Sequence, residues 1–190
     1  MYDTQTVIAE PDVTIRPLRL SDAVAVQRYA SDERVAGTTT IPQPYPEDGG
    51  EMFVKQAVEA HANEEAFYFG ILADGELIGA IDLRSIECEK RTVECGYAIA
   101  ASHWGKGIAT KAVALALRYA FCELRVDIVF AHCLKRNPAS ARVLEKNGFR
   151  ETGDFASDLP KFKDEPSRAF QLAKQEWFAN HPMEHSGDNA

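Results

Sequence analysis

Cysteine, long apolar runs and positive charge are all scarce in this chain, and each scarcity closes off a class of function. The four cysteines, at 88, 95, 122 and 133, form no Cys-x-x-Cys pair and keep no zinc spacing with a histidine. They read as free, mostly buried thiols in a reducing compartment, with no metal site. No apolar run reaches the roughly 18 residues that span a bilayer. Met1–Pro11 carries acids and lacks the apolar centre of a signal peptide. The reading is a cytoplasmic protein with no membrane partner. Lysine and arginine number 21 against 29 acids, a net charge of −8, which argues against nucleic acid as a partner. The acidic excess is compatible with a cationic acceptor such as a polyamine or a basic peptide.

What is present is enough apolar material for a substantial core, 45% of 190 residues. We expect one domain over residues 1–180 and a flexible tail over 181–190, where apolar spacing stops. Val13–Arg16 alternates and halts at Pro17, as a first strand does. Ser21-Asp22 opens a helix through Ala30. Thr38–Pro46 is a proline-bearing loop, and Glu47–Ala62 resumes as a helix with Met52, Phe53, Gln56 and Ala57 near one stripe. Ala66–Leu72 and Leu77–Leu83 form a hairpin about Asp74-Gly75. After a polar connection, Ser85–Arg91, Thr92–Ala100 is the next strand and Gly107 to about Glu123 an apolar helix. Asp127–Leu134 is a strand. Asn137-Pro138 opens a helix to Asn147, with Gly148 as its cap. Phe149–Phe155 and Arg168–Leu172 close the sheet. The expected class is α/β (α+β), a mixed sheet of about six to seven strands with helices on both faces.

The chain is organised around Trp104-Gly105-Lys106-Gly107-Ile108-Ala109-Thr110. Small residues there let a ligand approach the backbone. The helix that follows aims its unpaired N–H groups and the positive end of its dipole at the turn, which makes an anion site suited to a phosphate-bearing cofactor. Gly105-Lys106-Gly107 lacks the spacing of a Walker A loop, so nucleotide hydrolysis is set aside.

This turn, Glu94-Cys95-Gly96-Tyr97 before it, and Asn137-Pro138-Ala139-Ser140 with Leu144-Glu145-Lys146-Asn147-Gly148-Phe149 after it resemble the GNAT superfamily of acyl-CoA N-acyltransferases. The superfamily pattern Arg/Gln-x-x-Gly-x-Gly/Ala falls on Trp104, Gly107 and Ala109, with Trp104 in place of the usual basic or amide residue. That departure resembles the ribosomal-protein alanine N-acetyltransferase (RimJ/RimL-like) branch. The resemblance implies acetyl-CoA as donor, its pyrophosphate on the backbone from Gly105 to Thr110. It places the pantetheine arm between the strands ending at Ala100 and Leu134, and an N–H near Ile99 on the thioester carbonyl. Asn137, already an N-cap by position, would also bind the pantetheine amide.

Ser140 lies on the first turn of that helix. It either satisfies backbone or, as the resemblance implies, helps protonate the departing thiolate. Glu94 shares a strand face with Gly96 and Ala98. It is read either as the group that takes the amine's proton or anchors a cationic acceptor, or as a solvated or salt-bridged strand residue. Tyr97 reads as core, with contact to the acceptor as the alternative, and His103 as surface, with shaping of the cofactor site as the alternative. The resemblance implies direct transfer to a primary amine in a ternary complex, with a protein N-terminus as acceptor. A polyamine, an amino acid or an aminoglycoside stays open as acceptor, as does a non-catalytic acyl-CoA sensor. A homodimer stays open too, since the closing strands could pair.

Overall fold

The computed structural model describes residues 7–157 and 159–182. Its sheet has eight strands in the order β1-β2-β3-β4-β5-β6-β8-β7. They are β1 (Ile8–Glu10), β2 (Val13–Pro17), β3 (Phe67–Ala73), β4 (Glu76–Glu87), β5 (Thr92–Ile99), β6 (Ile128–Leu134), β7 (Arg150–Phe155) and β8 (Ser167–Ala173). Neighbours from β1 to β5 are antiparallel; short turns join β1 to β2, β3 to β4 and β4 to β5, while β2 reaches β3 through a helical excursion. The β3–β4 turn has Asp74 at φ 51° and Gly75 at φ 81°, both left-handed, which matches the twist of the flanking strands. Between β5 and β6 the chain crosses over through a helix, and those two strands run parallel.

Helices cover both faces. Six are described: α1 (Ala23–Ala30), α2 (Glu33–Ala36), α3 (Gly49–Ala62), α4 (Ile108–Arg118), α5 (Pro138–Lys146) and α6 (Lys174–Asn180). α4 packs on the first sheet face, where Ile15, Phe67, Phe69, Ile81, Leu83 and Val93 meet Ala112, Val113, Ala116 and Leu117. α1 and α3 cover the other face with a smaller cluster of Val26, Tyr29, Ala30, Val54 and Ala80. Period two thus divides each central strand between a large core and a thinner layer that still admits polar groups.

Several expectations shift. β1 falls within the stretch taken as a plain amino terminus, and the sheet has eight strands rather than six or seven. β4 runs on to Glu87, taking in part of the expected connection, with Ser85 at φ 53° marking an irregularity in the β4–β5 ladder. The buried stripe of α3 is Gly50, Val54, Ala57 and His61, so Met52 is 51% exposed. Gly50 sets that phase: a Cβ there would lie 2.4 Å from the Ala23 carbonyl oxygen of α1. α2 and α6 are additions, and the expected apolar helix ends in a π turn at Tyr119–Glu123. Of the expected tail, residues 183–190 lie outside the described residues. Among the described residues no helix is long and apolar enough to cross a membrane, and no three His, Cys, Asp or Glu gather as a metal site. All four cysteines are free; Cys95 and Cys133 are buried and Cys88 is exposed.

Candidate functional site

β5 and β6 pair only at Thr92 with Ile128, Val93 with Val129 and Glu94 with Phe130. Beyond Glu94 they part, while β5 stays bonded to β4 and β6 to β8. The sheet therefore has a gap in its middle, edged by backbone that nothing in the sheet satisfies. Ala100 N–H donates to the Ile78 carbonyl at 2.8 Å, so it points towards β4. By the alternation of an extended strand, the N–H groups of Ile99 and Tyr97 point the opposite way, into the gap. The N–H of Ile99 thus points into the gap, whereas Ala100 has both backbone groups engaged, its carbonyl accepting from His103 N–H at 2.9 Å.

The turn after β5 lies at the mouth of this gap. Gly105 and Gly107 have φ of 76° and 79°, and a Cβ on either would meet no atom within 4 Å. Both glycines are required by backbone conformation, and both border open space. The first backbone bond of α4 runs from Lys111 N–H to the Gly107 carbonyl. The N–H groups of Ile108, Ala109 and Thr110 precede it, and no described group pairs with them or with those of Gly105, Lys106 and Gly107. Trp104 closes the turn differently from expectation: its indole N–H donates to the Ile99 carbonyl at 2.8 Å, tying the loop to the end of β5 and leaving the ring about half exposed. The Lys106 side chain is exposed.

On the α4 face, α5 forms the other wall. The Asn137 side-chain oxygen accepts from Ser140 N–H at 3.2 Å as the N-cap, which leaves its amide NH₂ for a ligand. At the far end of α5, Asn147 donates to the Thr110 carbonyl at 3.1 Å, fastening α5 to the first turn of α4. Ser140 Oγ lies 2.9 Å from the Tyr97 hydroxyl, which also donates to the Ser140 carbonyl at 3.4 Å. Tyr97 packs against the core, as the sequence suggests, and also reaches α5. Its parity with Cys95 and Ile99 puts it on the α4/α5 face, but only the fold shows that α5 brings Ser140 to it. Burial pushes the Tyr97 phenol up, against the Ser140 hydrogen bond. Burial likewise pushes the nearby Cys133 thiol up, so it is no ready nucleophile. His103 sits outside, with its Nδ1 3.0 Å from Ser102 Oγ.

The opposite face carries the charges. Arg84 of β4 is opposite Glu94 in the ladder, and Asp82 is opposite Gly96. Arg84 Nη2 donates to Glu94 Oε1 at 2.7 Å, and Nη1 donates to Asp82 Oδ1. Gly96 makes this fork possible, since a Cβ there would lie 2.4 Å from Arg84 Nη1. His132 Nδ1 is 3.6 Å from the same Glu94 oxygen, and its ring stacks on Phe155 at 3.7 Å. His132 first and then Arg84 hold the Glu94 carboxyl below the ordinary range despite burial. Asp82 goes the other way: burial, reinforced by the Glu94 charge and only partly offset by Arg84, pushes it up to about 6. Glu94 is named from the sequence, whereas Asp82, a single polar residue in an apolar strand, carries no local signal that the fold sets it beside Arg84.

The loop before α3 roofs this face. Ile41 and Tyr45 pack with Tyr29, Ala98 and Ala100. Lys161 fixes the loop by donating to the carbonyls of Ala36, Thr39 (3.1 Å) and Ile41 (2.6 Å), and Arg136 donates to the Gly37 carbonyl while paired with Glu165.

Residues 12–150 match the family model described as an acetyltransferase (GNAT) domain. The probable N-acetyltransferase YjcK of Bacillus subtilis is 33% identical over 148 residues, spanning 74% of this chain and 82% of that protein. The spermidine N(1)-acetyltransferase of Vibrio cholerae is 27% identical, spanning 77% and 84%. The ribosomal-protein-serine acetyltransferase of Escherichia coli is 39% identical, but over only 50% of this chain and 54% of its own. Among solved structures, a GNAT-family acetyltransferase from Bacillus anthracis superposes with a TM-score of 0.78 at 26% identity, covering 90% of this chain and all of that one. The resemblance read from the sequence therefore holds for the family. The ribosomal-protein branch is matched only in part, and wide coverage extends to other N-acetyltransferases.

Proposed function

This chain belongs to the GNAT acetyltransferase family and is an N-acetyltransferase; from that premise we propose that it moves acetyl from acetyl-CoA directly to a primary amine, an α-amine at a protein N-terminus, in a ternary complex. The observation that carries the reading is the gap between β5 and β6, which opens where the turn before α4 presents unpaired N–H groups. A pyrophosphate fits that turn, where the open space over Gly105 and Gly107 meets the positive end of a helix of 11 residues. Gly105 to Thr110 hold the phosphates by backbone, Trp104 shapes the turn, and the free amide of Asn137 takes the pantetheine. Acetyl-CoA supplies an acyl group activated as a thioester.

The protein's part is alignment, charge and protons. Holding amine and thioester together across the gap removes much of the entropic barrier. The Ile99 N–H, fixed on a strand and aimed into the gap, stabilises negative charge on the carbonyl oxygen. Ser140 and Tyr97, joined by their hydroxyls, supply a proton to the departing sulfur. The acceptor enters from the α1/α3 face, where carboxylates face a cationic amine. A small polyamine is the second reading, supported by that acidic face and by the wide match to a spermidine acetyltransferase.

Release of free CoA thiol should be followed against peptides starting with Ser or Ala, against spermidine and spermine, and against amino acids and aminoglycosides. Stimulation by the peptides is the expected result. Stimulation by polyamines alone replaces the acceptor while keeping the reaction. Tight acetyl-CoA binding with no stimulated release by any amine makes the chain a sensor and contradicts the reading.

A further inference from the structure

We propose that Asp82 takes the proton of the acceptor ammonium at its Oδ2, and that Arg84 and Glu94 are the residues that position it. The inference rests on the amine-transfer reading above. Arg84 binds one carboxylate with each Nη, and Gly96 gives the guanidinium room to lie flat across β5. Two carboxylates on one guanidinium leave a single negative charge on this face, the complement of one ammonium. The two acids are unequal. Glu94 meets both the Arg84 guanidinium and the His132 ring through the same oxygen. Asp82 faces Arg84 through Oδ1 alone, and among the described residues no group donates to its Oδ2.

Position favours Asp82 as well. Its ladder partner Gly96 immediately precedes Tyr97, whose N–H points into the gap. Strands lie about 4.8 Å apart, so Asp82 stands one strand away from the opening. Beyond Glu94, that face of β5 carries only Gly96 and Ala98, so no β5 side chain there is larger than a methyl, and the Arg84 guanidinium lies across Gly96. The groups facing Asp82 are Tyr29 from α1, Tyr68 opposite it on β3, Arg84 on its own strand and Glu94 on β5; Tyr45 and His132 are one neighbour further out. Burial raises the Asp82 carboxyl towards 6. It is therefore ionised at neutral pH, and a stronger base than Glu94.

The protons balance. The ammonium gives one proton to Asp82 Oδ2 and becomes a neutral amine. Its nitrogen bonds to the acyl carbon as the carbon–sulfur bond breaks and sulfur leaves with the electron pair. The nitrogen loses its second proton to water as the amide forms, the Ser140 and Tyr97 hydroxyls give one proton to the sulfur, and water returns a proton to that pair. Asp82 then returns its proton to water.

The test is the pH dependence of kcat at saturating amine and acetyl-CoA for the wild type, Asp82→Asn, Asp82→Glu and Glu94→Gln, with acetyl-CoA affinity as the check on folding. The wild type should lose activity below a pH near 6. Asp82→Asn should lose about 100-fold in kcat and the acid limb with it, while binding acetyl-CoA normally; Asp82→Glu should restore a limb. In Glu94→Gln, Asp82 keeps Arg84 to itself and loses a like charge, so the limb should move to lower pH with kcat reduced only severalfold. An Asp82→Asn protein that keeps the limb and stays within threefold of wild type overturns the proposal, as does a Glu94→Gln protein without any limb. Should Asp82→Asn not fold, the Asp82→Glu and Glu94→Gln profiles decide between the two acids. A wild type that transfers acetyl to no amine defeats the amine reading and this inference together, whereas a shifted assignment of the limb defeats this inference alone.

Discussion

Two residue-scale pairings decide most of what this site can do. Tyr97 and Ser140 share one short hydroxyl contact across the gap. If they protonate sulfur as a unit, Tyr97→Phe and Ser140→Ala should each lower kcat about tenfold, and the double variant should be hardly worse than either. Steady-state kinetics on the three proteins checks this; multiplied losses would mean separate roles. Away from the gap, the buried Arg16–Asp22 pair holds β2 to the start of α1. Arg16 donates to both carboxylate oxygens at 2.8 and 2.9 Å, and Asp22 also accepts from Arg19 N–H at 2.8 Å. Burial pushes the Asp22 carboxyl up, but the bonds from Arg16 and Arg19 prevail and hold it low. A carboxyl with a lowered folded pKa adds stability above its unfolded pKa of about 3.9, and that stability fades as pH falls through the folded value. Asp22→Ala should therefore cost about 2–3 kcal/mol at pH 7 in urea unfolding, with the difference from wild type shrinking below about pH 4.

Elements place these residues through a few close approaches. Gly50 lets α3 cross α1, with a would-be Cβ 2.4 Å from one backbone oxygen and 2.9 Å from the Gln27 nitrogen. Gly50→Ala should therefore separate the two helices, cost about 2 kcal/mol in stability, and raise KM for the amine more than KM for acetyl-CoA. Both effects are measurable by urea unfolding and initial rates; equal rises would place α1 and α3 away from the acceptor. At this scale the sequence was informative where a pattern is local. Period two put Glu94, Gly96 and Ala98 on one face, and Asn137-Pro138 marked the start of α5. It was silent where an element is too short for a period, as in β1 with three residues and α2 with four. It was also silent where meaning depends on register. Nothing local to Asp82 says that β5 sets Gly96 beside it, or that Arg84 spans to Glu94. The stripe on α3 was misjudged for the same reason, because the crossing at Gly50 fixes which side turns inwards.

At the scale of the whole molecule, a sheet interrupted beyond Glu94 joins two half-sites that neither face could hold alone. The α4 and α5 side offers backbone N–H groups and a hydroxyl pair; the α1 and α3 side offers carboxylates under a loop fastened by Lys161 and Arg136. β7 is the outer strand at one edge of the sheet, and its residues from Arg150 to Asp154 are exposed. The turn before α4 and the gap beside it form the proposed acetyl-CoA site. Calorimetric titration of acetyl-CoA into the wild type and Gly107→Val tests it most directly. A β-branched residue at φ 79° distorts the turn, and no neighbouring atom is there to clash. The wild type should bind one acetyl-CoA per chain, and a Gly107→Val protein whose circular dichroism is unchanged should bind it at least tenfold more weakly. Equal affinity in the two proteins, or no binding by either, would contradict this assignment.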